Sequence, residues 1–193
     1  TDYTNVIIEE VDRLRNLVDR LVGSRKPLEL KETNIHEVLE HVRSLVKAEV
    51  SGNSIKIGYD YDPSIPAIVA DSEQLIQAIL NLVRNASQSL SSPDVDHELG
   101  EILLRSRIVR NVTIGTKFHR LAVGIEVIDN GPGIPEDMID AIFYPMISGR
   151  PDGSGLGLPI THGIINQHKG MIECESKPGK TKFTVVIPLG NHH

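Results

Sequence analysis

The sequence predicts an α+β two-layer sandwich, a mixed and mostly antiparallel sheet with helices packed on one face. Three observations predict it. Apolar residues recur at helical spacing in separate stretches, among them Ile35, Val38, Leu39, Val42, Leu45 and Val46, and then Leu75, Ile79, Leu82, Val83 and Ala86. Short alternating runs such as Val123, Ile125 and Val127 fit half-buried strands. The two kinds of segment do not alternate strictly, and successive strand pairs are joined by short turns, which favours antiparallel pairing with the helices gathered on one side. The 193 residues suffice for one domain of ordinary size plus an appendage.

The appendage comes first. Ile7, Val11, Leu14, Val18 and Leu21 repeat as a heptad seam within a helix over residues 3–22, and Gly23 and Pro27 end it. One apolar stripe of this length cannot bury itself. It fits half of a helical hairpin or dimer bundle, or else a helix folded back on its own domain. An extended piece is expected at Leu28 to Leu30. Asn34 and Glu37 then form a capping-box pattern before the first amphipathic helix. Ile55, Ile57 and Tyr59 alternate as a strand, and Ala67 to Ala70 make another. Asp71 and Gln74 cap the next helix, which runs to about Leu90, and residues 91–100 form a polar loop. Strands are expected at 101–108 and 120–129, with the polar segment 111–117 as their hairpin. A short helix follows Pro135, and the stretch from Phe143 to Gly153 is irregular. A further helix runs to about His168, and two strands, Met171 to Ser176 and Lys182 to Ile187, flank a Pro178-Gly179 turn.

Composition narrows the classes of function. The net charge is -6 and no run of Lys and Arg stands out, which argues against a dedicated nucleic-acid surface. No apolar run approaches the roughly 18 residues of a membrane span. Cys174 is the one cysteine, so no intrachain disulfide can form and a cytoplasmic setting is expected, with Cys174 in the core. The chain opens on Thr1 and is expected to begin inside a longer protein. The terminal His192-His193 pair, within a tail at 190–193, fits a purification-tag remnant.

Four stretches could carry chemistry. Gly153-Ser154-Gly155-Leu156-Gly157 precedes a helix-compatible run. A glycine loop that opens a helix aims backbone N–H groups, and the positive end of the helix dipole, at an anion such as phosphate. Pro159 falls in the first turn, where its missing N–H costs little. No Lys-Ser/Thr pair follows, so this is not a Walker loop, and the Rossmann spacing is absent too. On the helix from residue 72 to 90, a polar face holds Gln77, Asn81, Asn85 and Gln88. Asn is a mediocre helix former, and the stacked amides of Asn81 and Asn85 offer hard neutral oxygens suited to magnesium. An ordinary solvated face is the plainer alternative. Asp129, Gly131 and Gly133 close a strand. There the carboxylate needs a donor, for which an adenine amino group is suitable, and the glycines would leave room for a flat base. A simple turn also fits. The segment from Phe143 to Asp152 fits a mobile lid in which Arg150 reaches a phosphate, or a structureless connector.

In this order the four stretches resemble the ATP-binding domain of two-component sensor histidine kinases. Asn81 and Asn85 match the family's asparagine box, Asp129, Gly131 and Gly133 its first glycine box, Phe143 its phenylalanine box, and Gly153, Gly155 and Gly157 its second glycine box. Residues 143–150 and 60–63 are similar to the nitrogen-regulation branch, and residues 13–21 to the second helix of that branch's dimerisation hairpin. The resemblance implies the Bergerat ATP-binding fold over residues 28–189, preceded at 1–24 by one hairpin helix. It implies ATP and Mg2+ as ligands, with Asn85 and Asn81 on the metal and Asp129 on the adenine. Arg150, Gly153, Ser154, Gly155, Leu156 and Gly157 would lie along the phosphates. It implies the dimerisation hairpin, an NtrC-type response regulator and a PII-type signal protein as partners. The family's phosphoacceptor is a His followed by an acid and, shortly after, Asn-Pro. His36-Glu37 and His97-Glu98 are the pairs that begin so, and neither Val38-Leu39-Glu40 nor Leu99-Gly100-Glu101 matches the rest. The expectation is a kinase catalytic fragment that binds ATP and cannot phosphorylate itself. A gyrase- or chaperone-type hydrolase would need a Glu where Asn81 stands, and a partner-switching regulatory module would lack the heptad helix.

Overall fold

The computed structural model describes residues 27–50, 52, 55–91, 99–145, 147 and 155–190. The heptad helix expected over 3–22 therefore lies outside the described residues, as do residues 191–193 of the tail. The elements run β1 (Lys31–Thr33), α1 (Ile35–Glu49), β2 (Ile55–Asp60), β3 (Ile68–Ala70), α2 (Ser72–Leu90), β4 (Gly100–Ile114), β5 (Lys117–Asp129), α3 (Glu136–Ile139), α4 (Gly157–Gln167), β6 (Met171–Lys177) and β7 (Lys180–Pro188).

Five strands form one sheet in the order β2-β4-β5-β7-β6, and β1 pairs with β3 in a small separate ribbon. Only β2 and β4 are parallel; the other pairings are antiparallel. The sheet is two-sided for a reason visible in its alternation. Ile102, Leu104, Ile125, Val127, Phe183, Val185 and Ile187 point to one face and are almost wholly buried. Residues of opposite parity carry Arg105, Glu126 and Lys182, which pair on the outer face: Arg105 with Glu126 at 3.2 Å and Lys182 with Glu175 at 3.2 Å. The apolar face takes the buried stripes of the helices, Val38, Leu39 and Val42 from α1, Leu75, Ile79, Leu82 and Val83 from α2, and Ile164 and Ile165 from α4. The expected two-layer sandwich is thus the fold. Among the described residues no helix is long and apolar enough to cross a membrane.

Three elements differ from expectation. The extended piece expected at Leu28 to Leu30 leads into β1, whose pairing with β3 begins at Lys31. The segment 111–117 is the expected hairpin, but the strands run further into it than the expected 101–108 and 120–129. The β4–β5 ladder continues through Val112 with His119, Thr113 with Phe118 and Ile114 with Lys117, then reverses over Gly115, whose φ is 60°. The β-branched run Val112-Thr113-Ile114 favours extension over a loop. In β2, Ile57 is buried but Tyr59 is 58% exposed at the sheet edge, under the guanidinium of Arg43 at 4.6 Å.

The helix ends follow their caps. Asn34 accepts from the His36 N–H at 3.0 Å. Asp71 does more. One carboxylate oxygen accepts from the Gln74 N–H (3.1 Å), the other from the Glu29 N–H (2.9 Å), and its own N–H donates to His168 Nε2 (3.0 Å). His168 Nδ1 donates in turn to the Ile164 carbonyl at 2.8 Å, which assigns the proton to Nδ1. The start of α2 is thereby tied to the end of α4. Burial pushes the Asp71 carboxyl up, but the N–H donors of Glu29 and Gln74, with His168 and the Glu73 N–H, outweigh it and hold the group below its ordinary value. A carboxyl depressed on folding stabilises above its unfolded pKa, and that contribution disappears as pH falls through the lower folded value. Asp71→Ala should cost about 1 kcal/mol near neutral pH. Urea denaturation repeated at about pH 3 should show a smaller gap between the two proteins.

Candidate functional site

The site is organised along one row of α2. Asn81, Asn85 and Ser89 are four apart, so they stack on one side of the helix over about 12 Å. At one end, the Asn81 amide donates to the Gly157 carbonyl (3.2 Å) and lies 3.4 Å from the Thr161 hydroxyl. Thr161 is fully buried, and its hydroxyl reaches the Gly157 carbonyl at 2.9 Å and the Ala78 carbonyl at 3.3 Å. At the other end, Gly131 sits so close that a Cβ there would fall 3.0 Å from Ser89 Oγ and 2.7 Å from Asp129 Oδ1. Asn85 lies on the turn between these two contacts. The row therefore connects the start of α4 with the end of β5. The expected polar face divides in two: Gln77 and Gln88 are exposed, whereas Asn81 and Asn85 are half-buried.

Asp129 ends β5 on the helix-covered face and is 4% exposed. It accepts from the Gly131 N–H at 2.9 Å, which curls the following loop. Across the sheet it faces Thr181, whose hydroxyl is 2.7 Å from that of Ser176. Ser176 Oγ accepts from the Ile134 N–H at 2.8 Å, and the Gly179 N–H donates to the Gly131 carbonyl at 2.9 Å. Loop 131–134 is thus fastened to the β6–β7 hairpin. Gly133 has φ of 89°, and a Cβ would come within 2.8 Å of the Lys177 carbonyl. A Cβ at either glycine would collide with protein, so packing by itself calls for glycine at both positions. Thr161, Ser176 and Thr181 were not expected at the site. Thr161 stands four residues after Gly157 on the same helix face, a spacing visible in sequence, whereas Thr181 joins Asp129 only through strand register.

Phe143 is an anchor. Its ring lies 5.6 Å from that of His162 on α4 and edge-on to Phe183 at 6.3 Å. The lid expected after it, with Arg150, Gly153 and Ser154, lies outside the described residues apart from Tyr144, Pro145 and Ile147. Gly155 has φ of 64°, Leu156 is buried and precedes α4, and Gly157 is its first residue. No side chain caps this helix, and Pro159 sits in its first turn as expected.

Two depressions share Ile139 of α3 in their lining. One of about 380 Å³ is lined by Ile139, Asp140, Phe143, Glu173, Cys174 and Glu175. The other, of about 650 Å³, runs from Pro132 to Glu136 and across to Ser176, Lys177 and Pro178. Neither is lined by Asn81 or Asn85. The Cys174 thiol is pushed up to about 12 by burial and by the carboxylates of Asp129 and Glu175, so it is an inert, partly buried packing group. His36 is occupied structurally: Nε2 meets Ser106 Oγ at 2.9 Å, the ring stacks on Tyr61 at 5.0 Å, and burial lowers its pKa. Among the described residues no three His, Cys, Asp or Glu cluster as metal ligands. A cation near the α2 row would have to rely on amide oxygens.

The sequence pattern of the family described as histidine kinase-, DNA gyrase B-, and HSP90-like ATPase matches residues 70–191, from β3 onward. The chain belongs to this family. It is therefore an ATP-binding domain, and the row of α2, the end of β5 and the start of α4 all lie within the matched region. The chain is 50% identical over 189 residues to the sensory histidine kinase/phosphatase NtrB of Vibrio alginolyticus, covering 98% of this chain and 53% of that protein. For the protein of the same name in Salmonella typhimurium the identity is 49%, over 98% of this chain and 52% of the relative. The chain thus spans about half the length of these curated relatives. Among solved structures, the nucleotide-free catalytic domain of histidine kinase ThkA superposes with a TM-score of 0.67 at 28% identity, over 83% of this chain and 96% of that one. Full-length ShkA in complex with AMPPNP gives 0.73 at 25% identity, over 97% and 38%. The fold of this ATPase family member is that of histidine-kinase catalytic domains.

The contact at Gly133 is testable. Gly133→Ala combines a left-handed backbone with a collision against the Lys177 carbonyl, and should cost about 1–3 kcal/mol or more in urea denaturation. Gly157→Ala, whose Cβ would meet Asn81 only at 3.9 Å, should be much milder.

Proposed function

We propose that this chain is the catalytic ATP-binding part of a nitrogen-regulation sensor histidine kinase, transferring the γ-phosphate of ATP to a histidine on a hairpin domain for relay to a response regulator. The observation that carries the reading is the identity of about half the residues with proteins named NtrB, over nearly the whole chain. Residues 1–24 would be the second helix of the dimerisation hairpin, 28–189 the catalytic domain, and 190–193 a tail. An NtrC-type response regulator and a PII-type signal protein would be the partners, in the cytoplasm. A relative of similar fold, ThkA, has been solved in complex with the response regulator TrrA (TM-score 0.71, 26% identity).

The donor set fits the ligand. Asn81 turns its amide nitrogen to the Gly157 carbonyl, which leaves the oxygen side for another partner. With Asn85 one turn away, two neutral oxygens would hold Mg2+, a hard cation that keeps phosphate and water in its shell. Bound there, the ion would neutralise triphosphate charge. Asp129, as an acceptor in a buried site, would read the exocyclic amino group of adenine. Gly131 and Gly133 would shape the loop beside it, and Phe143 would hold the base of the lid against α4. Gly155, Leu156 and Gly157, with Gly153 and Ser154 before them, would present backbone N–H groups at an α4 terminus that no side chain caps. Arg150 would supply a charged hydrogen bond to phosphate. A water-activating role is disfavoured. The place of a general base is taken by Asn81, whose amide holds α4 and has no proton-accepting carboxylate.

Labelled ATP and Mg2+ mixed with this chain and a separately made hairpin domain should yield phosphohistidine on the hairpin. ATP binding without any transfer would refute the kinase reading. Asn85→Ala should weaken magnesium-dependent ATP binding by more than about tenfold in calorimetry, with the fold kept. Asp129→Asn should reduce the preference for ATP over GTP, and an unmodified chain that binds both equally would count against the adenine role.

A further inference from the structure

Asn130, between Asp129 and Gly131, has no part in the site described so far. It is exposed, and an exposed Asn at a turn is ordinarily replaceable. Its side chain nevertheless makes two bonds to the backbone at the start of β4. Oδ1 accepts from the Glu101 N–H at 2.7 Å, and Nδ2 donates to the Leu99 carbonyl at 3.0 Å. Its own N–H donates to the Glu101 carbonyl at 3.3 Å. One side-chain partner is a donor and the other an acceptor, which fixes the orientation of the amide.

These bonds continue a ladder that the main chain gives up. The last β4–β5 pair is Ile102 with Asp129. The same register would set Glu101 opposite Asn130 and Leu99 opposite Pro132. Pro132 has no N–H to offer Leu99. The Asn130 side chain supplies what is missing, Oδ1 in place of a main-chain carbonyl and Nδ2 in place of the N–H that proline lacks. The main chain is thereby free to turn. The Gly131 N–H goes back to Asp129 Oδ1 at 2.9 Å, and the Gly131 carbonyl accepts from the Gly179 N–H at 2.9 Å.

The joined segments close on the end of α2. A Cβ at Gly100 would fall 3.3 Å from Leu90 Cδ1, and one at Gly131 would fall 3.6 Å from Leu90 Cδ2 and 3.0 Å from Ser89 Oγ. Leu90 is thus held between the start of β4 and the start of the loop, and Asn130 bridges the two. That bridge fixes how the end of β5 stands against the row of Asn81, Asn85 and Ser89.

We propose that Asn130 is a positioning residue: standing in for two peptide groups, it holds the Asp129 carboxylate against the α2 row and so sets the preference for a 6-amino purine over a 6-oxo purine. The inference rests on the proposed reading of adenine by Asp129. The Asn130 amide is spent on β4, so it acts through Asp129 and not on the base. A carboxylate that reads one amino group must be placed to within about half an ångström, and the residues behind it supply that precision. Two neutral hydrogen bonds at an exposed position add little to global stability, so their main effect is on geometry.

Calorimetry with Mg2+-ATP and with Mg2+-ITP, in which a carbonyl replaces the adenine amino group, tests the role. The unmodified chain is compared with Asn130→Ala, Asn130→Asp and Val46→Ala, the last a control that destabilises the fully buried core of α1. Urea denaturation ranks the stability of all four. Asn130→Ala should lower the ratio of ATP to ITP affinity by about fivefold or more, mainly by weakening ATP. Asn130→Asp keeps an acceptor for the Glu101 N–H and loses the donor to Leu99, so its ratio should fall in between. Val46→Ala should keep the ratio. Equal weakening of both nucleotides by Asn130→Ala, or no weakening, overturns the positioning role. So does an equal fall of the ratio in Val46→Ala, which would make it an effect of stability. Should Asn130→Ala not fold, the ratio in Asn130→Asp decides by the same criterion. An unmodified chain that binds ATP and ITP equally overturns the adenine reading, and the positioning role with it. That outcome is distinct from a discriminating chain whose ratio survives Asn130→Ala.

Discussion

The hydrogen bond from the Asn81 amide to the Gly157 carbonyl couples α2 and α4, the two helices of the proposed nucleotide site. Thr161 buttresses it from below, with its buried hydroxyl between α2 and α4. At the far end of the same helices, the Asp71 N–H and His168 make a second tie. Two polar contacts in a well-packed apolar layer thus set how α4 lies along α2. Misplaced, each would leave a half-buried amide or a buried imidazole without its partner, and such groups are costly inside a protein. Gly155 and Leu156 therefore lead directly into a helix whose two ends are both tied to α2.

The other half of the site is held from the sheet. Asp129 emerges at the end of β5, and the loop after it is stitched to the β6–β7 hairpin through Gly131, Ile134, Ser176 and Gly179. This explains why glycines stand at 131 and 133 in terms of the protein alone. One abuts Ser89 and Asp129, and the other carries a left-handed φ against the Lys177 carbonyl. A residue in a ligand-binding motif can be demanded by packing as strictly as by the ligand. Here the packing places a buried carboxylate beside one end of the α2 row, with α4 docked at the other.

The outer face of the sheet and the hairpin beyond it follow a different logic. Arg105, Glu126 and Lys182 share charges across neighbouring strands, so this face is self-satisfied and wet. Among the described residues, Arg110, Lys117 and Arg120 in the far part of the β4–β5 hairpin have no ion pair. These cations and Phe118 face solvent, in contrast to a core in which nearly every large apolar side chain is enclosed. The domain therefore separates the end proposed for the nucleotide, built from polar ties between packed elements, from an opposite end with exposed apolar and basic groups.

Much of this was legible in the residues. Helical spacing located α1, α2 and α4 because each buries one stripe, and Asn34 and Asp71 marked two helix starts because their side chains cap backbone N–H groups that nothing else satisfies. Asn81, Asn85 and Asp129 stood out because their types are poor choices for the plain structural role at each position, and the glycines because three alternate just ahead of a helix. Strand register was not legible. It decided that Thr181 lies opposite Asp129, that Tyr59 leaves the core, and that β4 and β5 run on past their neighbours to Ile114 and Lys117. Periodicity along a chain records which face of an element is buried. Which residues meet across elements, and where a strand outlasts its neighbours, depends on contacts between segments far apart in sequence, and these exist only once the sheet has formed.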